Sequence, residues 1–79
     1  MTPGPPPRLA DLPEAFRRDL PPLVVSGVVY ASARASRLAV VNGQVMREGE
    51  TLASGVTLER VFPLSAVFSF RGQRFELAP

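Results

Sequence analysis

The chain contains no histidine and no cysteine. Ser-His and Cys-His nucleophile pairs and the usual zinc ligand sets are therefore excluded from the start. Any acid–base chemistry falls to seven acidic residues. Among them Glu48 and Glu50 form the only close pair in the central stretch. At i and i+2 on a strand they would share a face, as paired carboxylates in glycoside hydrolysis must face one substrate. Gly49 between them signals a bend, so a solvated turn is the expected outcome. The run Gly43 to Gly49, Gly-Gln-Val-Met-Arg-Glu-Gly, is no phosphate loop, because no Gly-Lys-Ser/Thr follows and no helix opens after it. These residues point away from an enzyme, and they call for no cofactor and no metal.

Binding through charge is the next possibility. Basic and acidic residues number nine and seven, a net charge of +2, and every basic residue is an arginine. That excess is too small and too scattered to define a nucleic-acid surface by itself. An alternative keeps Arg17, Arg18, Arg71 and Arg74 beside an exposed platform of Phe68, Phe70 and Phe75, as a small SH3-like or OB-like nucleic-acid binder. In a domain with five phenylalanines, those aromatic side chains are expected in the core instead.

The elements that must position any site are short strands. Asn42-Gly43 is the strongest hairpin signal in the chain, since a type I′ turn needs φ > 0 at both central residues. A two-residue loop sets Val41 opposite Gln44, Val40 opposite Val45, Ala39 opposite Met46 and Leu38 opposite Arg47. It also makes Arg37 and Glu48 a cross-strand charge pair. One face then carries Leu38, Val40 and Val45, and the other Ala39, Val41 and Met46. Both are mostly apolar, so both are expected to be covered. A second hairpin turns at Arg71-Gly72, placing Phe70 opposite Gln73, Phe68 opposite Phe75 and Ala66 opposite Leu77 on one apolar face. Between the hairpins, Thr51 and Leu52 pair briefly and Val56 to Phe62 forms a strand with a bulge before Val61.

Ahead of the first hairpin, Leu23 to Tyr30 is dense in β-branched residues and is expected to be a strand. Gly27 inside it implies a bulge, a backbone passing close by, or room left for Phe16 or another bulky neighbour. As the first strand of its sheet it is the candidate edge. The candidate partner-binding residues are thus Leu23, Val24, Val25, Ser26, Gly27, Val28, Val29 and Tyr30, which would offer main-chain groups to an incoming strand. Mid-sheet placement as ordinary core is the alternative. Leu12, Phe16 and Leu20 form an apolar helical stripe with Arg17 and Arg18 facing water. Asp11 is the expected cap and Glu14 completes a capping-box spacing. Pro21-Pro22 ends that helix within about two turns.

Residues 1–10 form a Pro-rich linker, with four prolines in the first eight residues, and residues 11–79 form one β-domain. The linker implies a tether to a longer protein, and the opening residues are not a signal peptide. At this size about 60% of the extended-chain surface is buried, so stability is modest. The expected fold is all-β: a small sandwich or flattened barrel of about six antiparallel strands in two sheets, with one short N-terminal helix.

Leu12-Pro13-Glu14, Val25-Ser26-Gly27 with Tyr30, Ser36-Arg37, Val41-Asn42-Gly43, Arg47-Glu48-Gly49-Glu50 and Ser69-Phe70-Arg71-Gly72-Gln73-Arg74-Phe75 occur in that order. Their order and spacing, over Leu12 to Leu77, resemble the C-terminal periplasmic domain of the type II secretion system protein B family (general secretion pathway protein B). Val28 departs from the pattern, standing where a histidine is expected in Ser-Gly-His-x-Tyr. The resemblance implies an inner-membrane protein with a short cytoplasmic part, one transmembrane helix upstream, a Pro-rich periplasmic linker and this domain. It implies a non-enzymatic adaptor that binds the N-terminal periplasmic domain of the outer-membrane secretin and assists its assembly or anchoring, in some cases with the system's accessory ATPase. The domain is similar also to the homology region of secretion protein C and to the type IV pilus lipoprotein P.

Overall fold

A computed structural model describes residues 5–79; the start of the Pro-rich linker, residues 1–4, lies outside the described residues. Among the described residues six strands run in chain order as β1 (Val25–Val29), β2 (Leu38–Val41), β3 (Gln44–Arg47), β4 (Thr57–Val61), β5 (Ala66–Phe70) and β6 (Gln73–Leu77). They form two three-stranded antiparallel sheets, β1-β2-β3 and β4-β5-β6. One helix, α1 (Glu14–Asp19), precedes them. The expected all-β architecture is the one observed.

Both hairpins adopt the expected register. Val41 pairs with Gln44, Val40 with Val45, Ala39 with Met46 and Leu38 with Arg47. In the other sheet Phe70 pairs with Gln73, Phe68 with Phe75 and Ala66 with Leu77. Each two-residue turn has both residues at positive φ: Asn42 at 50° and Gly43 at 79°, Arg71 at 51° and Gly72 at 80°. That geometry matches the strand twist, which is why two residues suffice. The expected bulge in β4 falls between Leu58 and Arg60.

The sheets meet across a core of Val25, Ala39, Val41 and Met46 on one side and Leu58, Val61, Ala66, Phe68, Phe70 and Phe75 on the other. Phe68 and Phe75 stack with ring centres 6.0 Å apart. Phe16 of α1 meets Phe70 and Phe75 edge to face, at 6.1 and 5.8 Å. So short a helix depends on this packing for its persistence. The three clustered phenylalanines are core, which removes the platform that a nucleic-acid surface would require.

Two expectations are corrected. Asp11 caps nothing: it lies in a 3-10 turn, Leu9–Asp11, and α1 begins after Pro13 with no side-chain cap. Leu12 precedes a proline and is held extended, at ψ 156°, which separates Asp11 from the helix start. The β2–β3 hairpin, moreover, is covered on one face only. Ala39, Val41 and Met46 are buried, whereas Val45 on the opposite face is 58% exposed and Leu38 and Val40 are half-buried. The second sheet covers only the side of β2 and β3 that faces it.

Candidate functional site

The four sheet edges differ in what lies against them. The edge of β4 is paired by the segment leaving β3: the Gly49 N–H donates to the Leu58 carbonyl at 2.7 Å and the Leu58 N–H to the Glu50 carbonyl at 2.9 Å. Thr51 bridges Thr57, and their hydroxyls lie 2.8 Å apart. β6 is met by the end of the Pro-rich run, where the Glu76 N–H donates to the Pro7 carbonyl at 2.8 Å and Arg8 bridges Glu76. On β3 the Arg47 N–H is taken by the Glu50 carboxylate at 2.6 Å. Among the described residues β1 and β3 have no strand or loop paired along their outer sides; on β3 the Arg47 carbonyl also accepts the Glu50 N–H at 3.1 Å, which caps the end of that edge.

Register decides which groups the outer side of β1 presents. Val41 and Gln44 flank a two-residue turn and so form a mutually hydrogen-bonded pair. Val40 and Leu38 must then direct their main-chain groups toward β1, where they oppose Gly27 and Val29. The N–H and C=O of Val28 therefore point away from the sheet. Ser26 is the extra residue of a bulge between Val25 and Gly27. A bulge on an edge limits the stretch over which another strand can pair.

The candidate residues Leu23 to Tyr30 are accordingly not equivalent. Leu23 and Val24 precede the strand, and Val24 is already engaged: its N–H donates to the Asn42 side-chain oxygen at 2.8 Å, and its carbonyl accepts the Asn42 N–H at 2.8 Å. The Asn42 amide group also donates to the Pro22 carbonyl at 2.9 Å. Asn42 is thus more than a residue tolerant of positive φ; it clamps the lead-in to β1. Val25 turns into the core, while Val29 is 51% exposed and Tyr30 is exposed. Gly27 keeps its bulge but has no crowding neighbour: a Cβ placed there meets nothing within 4 Å, Phe16 included.

At the far end of β1 the arginines and Glu48 form a brace. The Arg37 Nε donates to the Ala31 carbonyl at 2.6 Å, and its guanidinium lies 4.3 Å from the centre of the Tyr30 ring and bonds the Tyr30 hydroxyl at 3.1 Å. Arg37 and Glu48 approach to 3.9 Å, as the register requires, and Arg34 reaches Glu48 at 3.2 Å. Glu48 itself is no solvated turn residue. Its side chain is only 9% exposed, and Oε2 accepts the Val61 N–H at 2.8 Å. That backbone hydrogen bond, with help from Arg34 and Arg37, holds the Glu48 carboxyl below its ordinary range against the opposing effect of burial. Glu48 therefore ties β3 to β4 and steadies the arginine that fixes Tyr30. The only sequence signal for this was the Arg37–Glu48 pairing; the Val61 contact joins separate sheets and has no local signature.

A cleft of about 320 Å³ lined by Arg34, Ala35, Glu48, Gly49 and Glu59 adjoins this brace. Its two carboxylates are occupied, Glu48 as described and Glu59 by the Ser69 hydroxyl at 2.8 Å. Among the described residues no helix is long and apolar enough to cross a membrane.

Comparison with known proteins gives these features a context. Residues 20–78 match the family described as Type II secretion system protein B. The chain is 42% identical over 60 residues to General secretion pathway protein B of Klebsiella pneumoniae, covering 76% of this chain and 34% of that protein. It is 36% identical over 59 residues to the protein of the same name in Dickeya dadantii (strain 3937), covering 75% and 27%. The chain thus spans about a third of the length of such relatives. Its fold is similar to the crystal structure of Dickeya dadantii GspB from the type 2 secretion system, with a TM-score of 0.66 and 34% identity over 71% of this chain and 67% of that one.

Proposed function

The chain belongs to the type II secretion system protein B family, and from that membership and its open strand edge we propose a non-enzymatic periplasmic adaptor. In this reading the domain binds the N-terminal periplasmic region of the outer-membrane secretin and assists its assembly or anchoring. The observation that carries it is the contrast among edges. β4 and β6 have the chain's own backbone against them and the end of β3 is capped by Glu50, while β1 presents the main-chain groups of Val28.

The mechanism is strand addition. A secretin segment lies along Gly27 to Tyr30, and each main-chain hydrogen bond contributes about 0.5–1.5 kcal/mol net. Val29 adds apolar contact at roughly 25 cal/mol per Å² removed from water. The clamp by Asn42 and the stacking of Arg37 on Tyr30 hold both ends of the stretch, which lowers the ordering cost of binding. Residues 1–10 act as the linker and residues 11–79 as the domain. Pro7 bonds β6, in the other sheet, so the tether leaves from that side. Attachment to the inner membrane would run through a helix upstream of this sequence.

Titrating isotope-labelled domain with the secretin's N-terminal domain tests the proposal. Amide shifts concentrated on β1 are expected. Shifts confined to the β5–β6 hairpin would overturn the binding edge, and no shifts at all would overturn the partner.

A further inference from the structure

Neither a left-handed backbone nor a crowding neighbour requires glycine at position 27. The other four described glycines, at 43, 49, 55 and 72, have φ between 79° and 96°, a region that side chains resist. Gly27 is not in that region, and a Cβ there would meet nothing within 4 Å. Glycine in a strand costs about 0.5–1 kcal/mol relative to alanine, so its presence weakens the open edge without relieving any contact inside the molecule.

What the missing side chain creates is a notch. Register places Gly27 on the uncovered face of the sheet, directly opposite Val40, with Val45 beyond it. Val29 follows two residues along the same face and opposes Leu38. The gap lies over backbone, with Val29 along the strand and Val40 across the pair as its neighbours on that face, and it opens on the side where β1 lacks a neighbour. A large side chain on a strand added to β1 can lean across a glycine and cover the valines behind it, as aromatic residues do beside edge glycines in sheets.

We propose that Gly27 is the specificity-determining residue of this edge, and that its notch receives an aromatic or large aliphatic side chain from the incoming strand of the secretin's N-terminal domain. The inference rests on the strand-addition reading above and adds a requirement to it. Main-chain pairing at Val28 supplies affinity for any extended segment. The notch selects segments with a bulky apolar residue in register with Gly27 and on the uncovered face. The bulge at Ser26 helps to fix that register, since pairing cannot slide past it.

The test pairs stability with binding in Gly27→Val and Gly27→Ala. Both variants are expected to melt at or above the wild-type temperature, because strands favour the new residues and the space is open. Gly27→Val is expected to bind the secretin's N-terminal domain about tenfold or more weakly, and Gly27→Ala severalfold, the scale of filling an apolar pocket. Leu64→Ala, an 83% exposed apolar side chain outside this sheet, is the control and should bind as wild type. If Gly27→Val proves unfolded, Gly27→Ala alone decides. Wild-type affinity in folded Gly27 variants, with β1 shifts retained, overturns the notch and leaves strand addition standing. Absence of β1 shifts in the wild-type domain overturns both.

Discussion

The two sheets are assembled from the same parts and finish differently. Each has three antiparallel strands and a two-residue turn with both residues at positive φ. Yet β4-β5-β6 has backbone against both edges, along β4 and at Glu76 of β6, and β5 is buried on both sides: Phe68 and Val67 face opposite ways and are 0% and 1% exposed. β1-β2-β3 keeps one face partly bare and has no strand or loop paired along either edge, the end of β3 alone being capped by Glu50. Apolar strands alone therefore do not make a surface site; what matters is whether loops and neighbouring side chains return to cover them. The first of these sheets is the molecule's framework, and the second is its more exposed layer.

Several substitutions would break or sharpen that contrast. The largest effect is expected at the centre of the framework. Phe68→Ala should cost about 3–5 kcal/mol, enough to unfold a domain of this size, as urea titration would show. An equally severe loss from trimming the uncovered face would erase the distinction between the sheets.

Next comes Glu48, which joins them. Glu48→Ala removes a charge-assisted acceptor from Val61 and a partner from Arg34 and Arg37, an expected loss of about 1.5–3 kcal/mol at neutral pH. The pH dependence has a defined sign. The folded-state pKa lies below the ordinary value of 4.5, so the unfolded chain takes up a proton first. This contribution is fully present above the ordinary value and lost as pH falls through the lowered folded one. Melting temperature against pH should thus have a shallower acid limb in Glu48→Gln than in the wild type.

Asn42→Gly separates turn from clamp. Glycine keeps the positive φ but frees Pro22 and Val24, with an expected loss of about 1–2 kcal/mol for two hydrogen bonds. Amide exchange should quicken at Val24 and stay unchanged at Ala39 and Met46. The smallest effect is expected from Val45→Thr, within about 0.5 kcal/mol. Met46→Thr, one residue away but facing the core, should cost several times more in the same denaturation assay.

Much of this architecture was legible in the sequence because it is local. Asn42-Gly43 and Arg71-Gly72 set two registers, and alternation then assigned the faces. Three features were not legible. Burial of one face and exposure of the other depends on how the sheets stack, and the sequence shows both faces of β2 and β3 as apolar. Glu48 looked like a turn residue because its main partner, Val61, lies thirteen positions away. The closing of β4 and β6 is done by carbonyl and amide groups of Gly49, Glu50 and Pro7, which no side-chain pattern announces. For the same reason Leu23 to Tyr30 could be named as a candidate edge, while the position whose main-chain groups face outward, Val28, emerges only from register.

The most direct measurement is backbone amide hydrogen exchange at Val28 with and without the secretin's N-terminal domain. If β1 is the edge to which the partner adds, protection rises at Val28, while Leu58 and Glu76, already bonded within the chain, exchange as before. Protection that appears along β4 or β6 with Val28 unchanged would contradict the account.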